Sequence, residues 1–237
     1  MRSGLIKKKN ISLMIIGFLL FSSSLMAQGE EENKRKWGKH IIKFNSTKLI
    51  NFSFPGIEFG YEHRYGRLSS QFSVAYLVDI TKDLKVISYN GCNFKFEEKF
   101  FFKKQPPNNI TRFYLSTEIS YNYVEIYQTR QFLPIEYKQL DEYEQEQYAY
   151  TGNFNSQRQA IIANLKFGFQ IIIKKIILEP CWGAGIGFHN VIYYDKLNPN
   201  DILFDQSHPL SLNHVINKEG FQVLPNFNFS FKIGITF

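Results

Sequence analysis

The 237-residue sequence lacks the common motifs by which catalytic, metal-binding and phosphate-binding sites are recognised. No apolar run of 18 residues follows Phe21, which argues against membrane-spanning helices beyond that point. The nucleophile elbow G-x-S-x-G, the zinc motif H-E-x-x-H and the phosphate loop G-x-x-x-x-G-K-[ST] are all absent. The five histidines show no ligand spacing such as H-x3-H: His40, His63, His189, His208 and His214. We therefore expect no catalytic residue, no cofactor and no metal site.

The N-terminus has the order of a secretory signal peptide over residues 1–27. Basic residues precede an apolar run at 11–21, which is too short to span a bilayer, and three serines follow. Cleavage is expected between Ala27 and Gln28, although Leu25 departs from the A-x-A pattern. An uncleaved N-terminal anchor is the alternative. Residues 28–38 are predicted to form a charged periplasmic leader.

The charge balance changes once this segment is removed. The 28 basic and 21 acidic residues give a net charge of +7, but four of the basic residues lie within residues 1–27. The remaining chain carries +3 and no acidic residue is lost. The basic excess is therefore largely a targeting feature, and we expect no nucleic-acid partner.

The remaining chain alternates apolar and polar residues with the strand period of two. The alternation is clearest in the final eleven residues, FNFSFKIGITF, which end on Phe237. Similar segments predict eight strands, at 39–47, 56–65, 68–79, 93–103, 111–130, 158–174, 176–194 and the C-terminus. The predicted fold is all-β: an eight-stranded, antiparallel, up-and-down transmembrane β-barrel over residues 39–237.

The predicted connections alternate in length. Short turns are expected at 64–67, 105–109 and 174–175, and long loops at 80–92, 132–157 and 195–220. Short turns at one end and long loops at the other are typical of outer-membrane barrels, whose short turns are periplasmic. Both chain ends would then be periplasmic.

The strand parity sends eleven charged side chains into the predicted lumen. Six are basic and five acidic: Lys43, Glu58, Glu62, Lys95, Glu97, Lys99, Arg112, Glu118, Lys166, Glu179 and Lys232. Balanced charges in a narrow interior predict a plug of ion pairs. Counting residues along the strands places Glu118 between Lys166 and either Lys95 or Lys99. The same count gathers Lys43, Glu62, Glu179 and Lys232 in the lower lumen.

A soluble, lipocalin-like barrel would show the same alternation turned inside out. The Gly-rich polar face and Phe-rich apolar face favour the membrane form. Residues 42–77, IKFNSTKLINFSFPGIEFGYEHRYGRLSSQFSVAYL, and the Phe-terminated strand resemble the OmpA/OmpX/OmpW-like barrels, near uncharacterised Bacteroidetes members. That resemblance implies a monomer in the Gram-negative outer membrane. Its partners would be membrane lipid, lipopolysaccharide and, through the last strand, the barrel assembly machinery.

A non-enzymatic structural or surface-interaction role, adhesin-like, fits this architecture best. The long loop at 132–157 carries four tyrosines among acidic residues, a composition suited to contacts with a basic partner: Tyr137, Tyr143, Tyr148 and Tyr150. A solvated extension of the strands is the plainer interpretation. The alternatives are a lipid A-modifying enzyme, for which His189 is the one inward strand histidine, and a small-solute channel. Cys92 and Cys181 are predicted to be free thiols, because their heights differ by well over about 10 Å.

Overall fold

A computed structural model describes residues 39–48, 55–77, 86–102, 111–198, 200–204 and 219–237. The predicted signal peptide with its Ala27–Gln28 cleavage site, the leader at 28–38 and the turn at 105–109 lie outside these residues. His208 and His214 also lie outside them.

The described residues form nine strands. They are β1 His40–Asn45, β2 Gly56–Tyr65, β3 Leu68–Leu77, β4 Val86–Phe101, β5 Thr111–Leu133, β6 Tyr150–Ile173, β7 Ile176–Tyr194, β8 Ile202–Leu203 and β9 Gly220–Thr236. Single-turn 3-10 helices occupy Ser46–Lys48 and Ile135–Tyr137, and one α-helix, α1, spans Glu142–Tyr148. None of the helices in the described ranges is long and apolar enough to cross a membrane.

Eight of these strands close into an antiparallel ring. Each strand from β1 to β6 pairs with the next strand in the chain, and β9 closes the ring by pairing with both β7 and β1. The two-residue β8 pairs only with the end of β5. The predicted all-β, antiparallel ring of eight strands is thus confirmed, and β8 is an addition that the sequence pattern did not indicate.

Several strand boundaries differ from the prediction. β4 begins at Val86 rather than 93, β5 continues to Leu133, and β6 begins at Tyr150 rather than 158. The added parts of β5 and β6 pair with each other up to Phe132 and Tyr150, and their Gln, Asn, Thr and Ser residues are interspersed with aromatic ones such as Phe154. Backbone hydrogen bonds hold this ladder, so no apolar alternation is needed to mark it.

The seam of the ring, where β1 meets β9, is one of its two shortest ladders, because β1 forms five residue pairs with β9 and five with β2. β1 pairs with β9 only over Ile41–Asn45, and the 3-10 turn at Ser46–Lys48 ends β1 two residues before the predicted boundary. Two side chains of that turn continue the contact: the Ser46 hydroxyl donates to the Phe231 carbonyl at 3.0 Å, and the Phe231 N–H donates to Thr47 Oγ1 at 3.3 Å.

The two faces of the ring have opposite character. Large apolar side chains are exposed on the outside, for example Phe72 (51%), Leu165 (55%) and Phe229 (66%). The interior holds buried Lys, Glu, Gln, Ser and Asn side chains. An inward glycine makes room for one of them, since a Cβ on Gly183 would lie 2.5 Å from Cγ of Lys166.

Candidate functional site

The lower half of the interior is organised around two buried carboxylates, Glu62 on β2 and Glu179 on β7. Lys43 contacts both of them. Lys99 also bridges them, with its Nζ 2.7 Å from Glu62 Oε2 and 2.7 Å from Glu179 Oε1. The Tyr114 hydroxyl donates to Glu179 at 3.0 Å. Two ammonium groups thus neutralise two carboxylates in a square that joins β1, β2, β4 and β7.

Gln170, Gln71 and Arg64 complete the hydrogen bonding around this square of four charges. Gln170 Nε2 donates to Glu179 at 2.5 Å and to both Glu62 oxygens at 3.2 and 3.3 Å. Gln71 Oε1 accepts from Lys99 at 2.7 Å. Arg64 Nε lies 3.1 Å from Glu62 Oε1. The sequence analysis assigned Arg64 to a turn, although it shares the strand parity of Glu58 and Glu62 and points inward.

The upper half contains a second charged cluster. Glu97 and Glu118 are directly opposite each other on β4 and β5, where two like charges repel. Lys166 lies between them, 3.1 Å from Glu97 and 2.8 Å from Glu118. Lys232 binds Glu97 at 2.6 Å and reaches Glu179 at 3.6 Å, which links the upper cluster to the lower one.

Glu118 therefore has only part of the environment expected for it. Its contact with Lys166 is present, but neither Lys95 nor Lys99 is its second partner. Lys95 binds Glu58 at 2.6 Å and Lys99 binds the lower square. The free side of Glu118 instead accepts hydrogen bonds from two amides, Asn164 at 3.1 Å and Asn228 at 3.2 Å.

The remaining predicted interior charges are also placed inside the ring. Glu58 is buried and accepts from Asn45 at 3.2 Å as well as from Lys95. Arg112 is buried with its guanidinium 4.0 Å from the centre of the Phe101 ring, and its Nη2 donates to the Gly66 carbonyl at 3.3 Å. Arg112 thus lies beside the β2–β3 turn.

An apolar cluster fills the interior beyond the charged residues, toward the end that carries the long β5–β6 hairpin. Phe132, Phe154, Val191 and Tyr193 are all buried in it. Phe154 makes edge-on contacts with Phe132 and Tyr193 at ring distances of 5.1 and 5.0 Å. Leu203 of the added strand β8 packs against the cluster. The interior is therefore filled by ion pairs in one part and by aromatic rings in the next.

The predicted contact loop at 132–157 is shorter in the structure, covering residues 134–149. Tyr137 and Tyr148 stack on each other at 4.0 Å with an interplanar angle of 8°. Tyr143 on α1 is 76% exposed. Tyr150 belongs to β6 and not to the loop, because it pairs with Phe132.

Tyr150 is tied to the segment around β8. Its hydroxyl donates to Asp201 Oδ2 at 2.6 Å, and Asn198 donates to the other oxygen of Asp201 at 2.9 Å. Burial, together with this hydrogen bond to a carboxylate, raises the pKa of Tyr150 to about 12. The outer extension is thus an ordered structure, with Tyr143 as its most exposed aromatic side chain.

The remaining histidines and cysteines are placed as follows. His189 is half-buried between Ala160 and Gln222 in the register. In the described part of the chain it has no hydrogen bond to a serine or a carboxylate, the partners that a nucleophile–base pair requires. Both cysteines are free, as predicted: Cys92 is partly exposed, and buried Cys181 lies 2.8 Å from the Ser230 hydroxyl.

Across the described ranges, no group of three or more His, Cys, Asp or Glu side chains is arranged to hold a metal. The sequence analysis did miss one pair: His40 and His63 are directly opposite on β1 and β2. Their separation of 23 residues matches no local motif, so only strand pairing reveals it.

Comparisons with family models, with curated proteins and with solved structures find no match to this chain. Its function is therefore argued from the distribution of side chains over the ring.

Proposed function

We propose that this protein is an eight-stranded β-barrel of the Gram-negative outer membrane with a non-enzymatic, structural or surface-interaction role. The observation that carries the proposal is the inverted distribution of polarity: charged residues fill the interior and large apolar residues are exposed outside. Water disfavours such an exterior, whereas the hydrocarbon core of a bilayer favours it.

The dimensions of the exterior also support a membrane location. On β5 the outward positions from Phe113 to Tyr123 are apolar or aromatic apart from Thr117, and Glu125 follows. This length agrees with the 9–11 residues or so that a tilted strand needs to cross a bilayer. Tyr76 and Tyr123 lie in one row across β3, β4 and β5, near the upper edge of this belt. Tyrosines at the belt edge are typical of the aromatic girdle.

Orientation follows from the positions of the chain ends. The start of β1 and the end of β9 lie together at one end of the ring, and the β5–β6 extension projects from the other. With periplasmic termini, the extension with Tyr143 is extracellular. The packed interior argues against the channel alternative, because ion pairs and aromatic rings occupy the path that a solute would take.

Membrane insertion is tested by an arginine on the outer face. Leu165→Arg places a charge in the middle of the apolar belt, and we expect a loss of about 2–4 kcal/mol in unfolding free energy in lipid vesicles. Gln157→Arg is the matched control: it lies on the same strand and face, eight residues nearer the extension and opposite Glu125. It should change stability by less than about 0.5 kcal/mol. Equal, small effects of both variants would contradict insertion.

The surface role is tested by shortening the extension. β5 and β6 are paired up to Phe132 and Tyr150, so a short Asn-Gly turn in place of residues 134–149 leaves the ring intact. We expect the shortened protein to reach the outer membrane at normal levels but to lose cell adhesion. Tyr143→Ala, which removes only the most exposed ring, should give a partial loss. Unchanged adhesion by the shortened protein at equal surface levels would refute the surface role.

A further inference from the structure

Two histidines lie side by side at the end of the ring where β1 begins and β9 ends. His40 is the first residue of β1 and His63 its direct partner on β2. Their Nδ1 atoms lie 3.3 Å apart and their ring centres 4.7 Å apart, with the rings tilted by 45°. Both side chains are partly exposed, so an ion in solution has access to them.

The nitrogen separation is the one that a shared metal ion requires. Tetrahedral coordination with metal–nitrogen bonds of about 2.0–2.1 Å holds two ligand nitrogens about 3.3 Å apart. Neighbouring strands fix both backbones, so little conformational entropy is lost when the two imidazoles bind one ion.

A third polar atom lies next to these two nitrogens. The hydroxyl oxygen of Tyr61 is 2.5 Å from Nδ1 of His40. A ring nitrogen offers either one proton or one lone pair, so His40 Nδ1 cannot form two full hydrogen bonds, with Tyr61 and His63, at once. A bound cation would instead accept the lone pairs of both Nδ1 atoms, that of His40 and that of His63.

We propose that His40 and His63 form a binding site for a divalent first-row metal ion of the zinc or copper class, ligated through both Nδ1 atoms. Imidazole nitrogens are the common protein ligands of these ions. Water would fill the other coordination positions, since both side chains are partly exposed and lie at the end of the ring, at the start of β1 and close to the β2–β3 turn. The bound ion would join β1 to β2 beside the short β1–β9 ladder and so strengthen the seam of the ring. This proposal depends on cross-strand geometry and does not depend on membrane insertion.

The site is tested on the full chain in detergent, without a histidine tag, by calorimetric titration with Zn²⁺ and by the electron paramagnetic resonance of bound Cu²⁺. We expect one ion per chain, two imidazole nitrogens in the copper spectrum, and a melting temperature that rises with added Zn²⁺. His40→Gln and His63→Gln should each weaken binding by about tenfold or more, because the chelate is lost. Each variant should also lose one nitrogen from the spectrum and the rise in melting temperature.

His189→Gln and the double change His208→Gln/His214→Gln are the controls and should keep the binding. Circular dichroism and heat-dependent gel migration establish that every variant is folded. Absence of stoichiometric binding below about 100 μM, or binding that survives the double change His40→Gln/His63→Gln, would overturn the proposal.

Discussion

At the residue scale, the arrangement of charges inside the ring depends on single lysines that serve two carboxylates. Lys166 separates Glu97 and Glu118, which the register of β4 and β5 forces to face each other. Lys99 and Lys43 each bridge Glu62 and Glu179 in the lower square. Loss of Lys166 leaves buried Glu118 with amide partners only, opposite a Glu97 that keeps Lys232, and this costs more than the loss of Glu118 itself.

Lys166→Met should therefore lower the free energy of unfolding by about 3–5 kcal/mol. Glu118→Gln should cost less, because Lys166 keeps its contact with Glu97. The double variant should cost less than the sum of the single changes, with a coupling of about 0.5–3 kcal/mol. Urea unfolding of all three proteins in lipid vesicles measures these values. Lys95→Met is the control for a half-buried lysine with one carboxylate partner, and strictly additive losses would show that the pair is uncoupled.

At the scale of the elements, two tight turns set the registers of neighbouring hairpins by different means. The β2–β3 turn has glycine at its left-handed position, Gly66 with φ +61°. The β6–β7 turn has lysine there, Lys174 with φ 55°. A left-handed backbone costs a residue with a Cβ roughly 1–2 kcal/mol. The second hairpin carries this strain, and its long ladder from Asn155 to Ile173 on β6 holds the turn in place.

Gly66→Ala should consequently lower stability by about 1 kcal/mol, although a methyl group there would meet no atom within 4 Å. Lys174→Gly removes the strain at the equivalent position and should be neutral or slightly stabilising. Both values come from the same urea unfolding measurement. Loss of stability in both variants would mean that residue type, and not the backbone angle, governs these turns.

At the scale of the whole molecule, the hydrogen-bonded ladders between neighbouring strands differ greatly in length. The β5–β6 ladder extends from Thr111 to Phe132, far beyond the length that a bilayer requires. The β1–β9 ladder covers only Ile41–Asn45 and the β1–β2 ladder only His40–Phe44, five residue pairs each. Opening of a sheet begins where the fewest backbone hydrogen bonds must break. Strand β1, with a short ladder on either side, should accordingly be the first part of the ring to open.

Hydrogen exchange measures this directly. Amides of β1 and of Phe231–Thr236 on β9 should exchange at least about tenfold faster than those in the middle of β5 and β6. Saturating Zn²⁺ should slow the exchange of β1 selectively if the His40–His63 site is occupied. Uniform protection around the ring would contradict the early opening of β1.

The sequence by itself determined the features that depend on local parity. Alternation along each strand sent Glu62, Glu97 and Lys166 to one face and Phe72 and Leu165 to the other, because successive side chains point to opposite sides. The same alternation located the turns at 64–67 and 174–175 and the number of strands in the ring.

Only the tertiary structure decided the contacts that counting along the strands did not predict, because a partner across the ring is set by its curvature and closure and leaves no local pattern. Counting paired Glu118 with Lys166, but the two asparagines on Glu118, the contact of Lys95 with Glu58 and the meeting of His40 with His63 appear only in the folded ring. The outer parts of β5 and β6 mix polar residues with Phe132, Tyr150 and Phe154, so that no regular apolar period marks them, and backbone pairing holds them together. Strand pairing, and not sequence spacing, likewise brings Tyr150 to β6 and β8 to the end of β5.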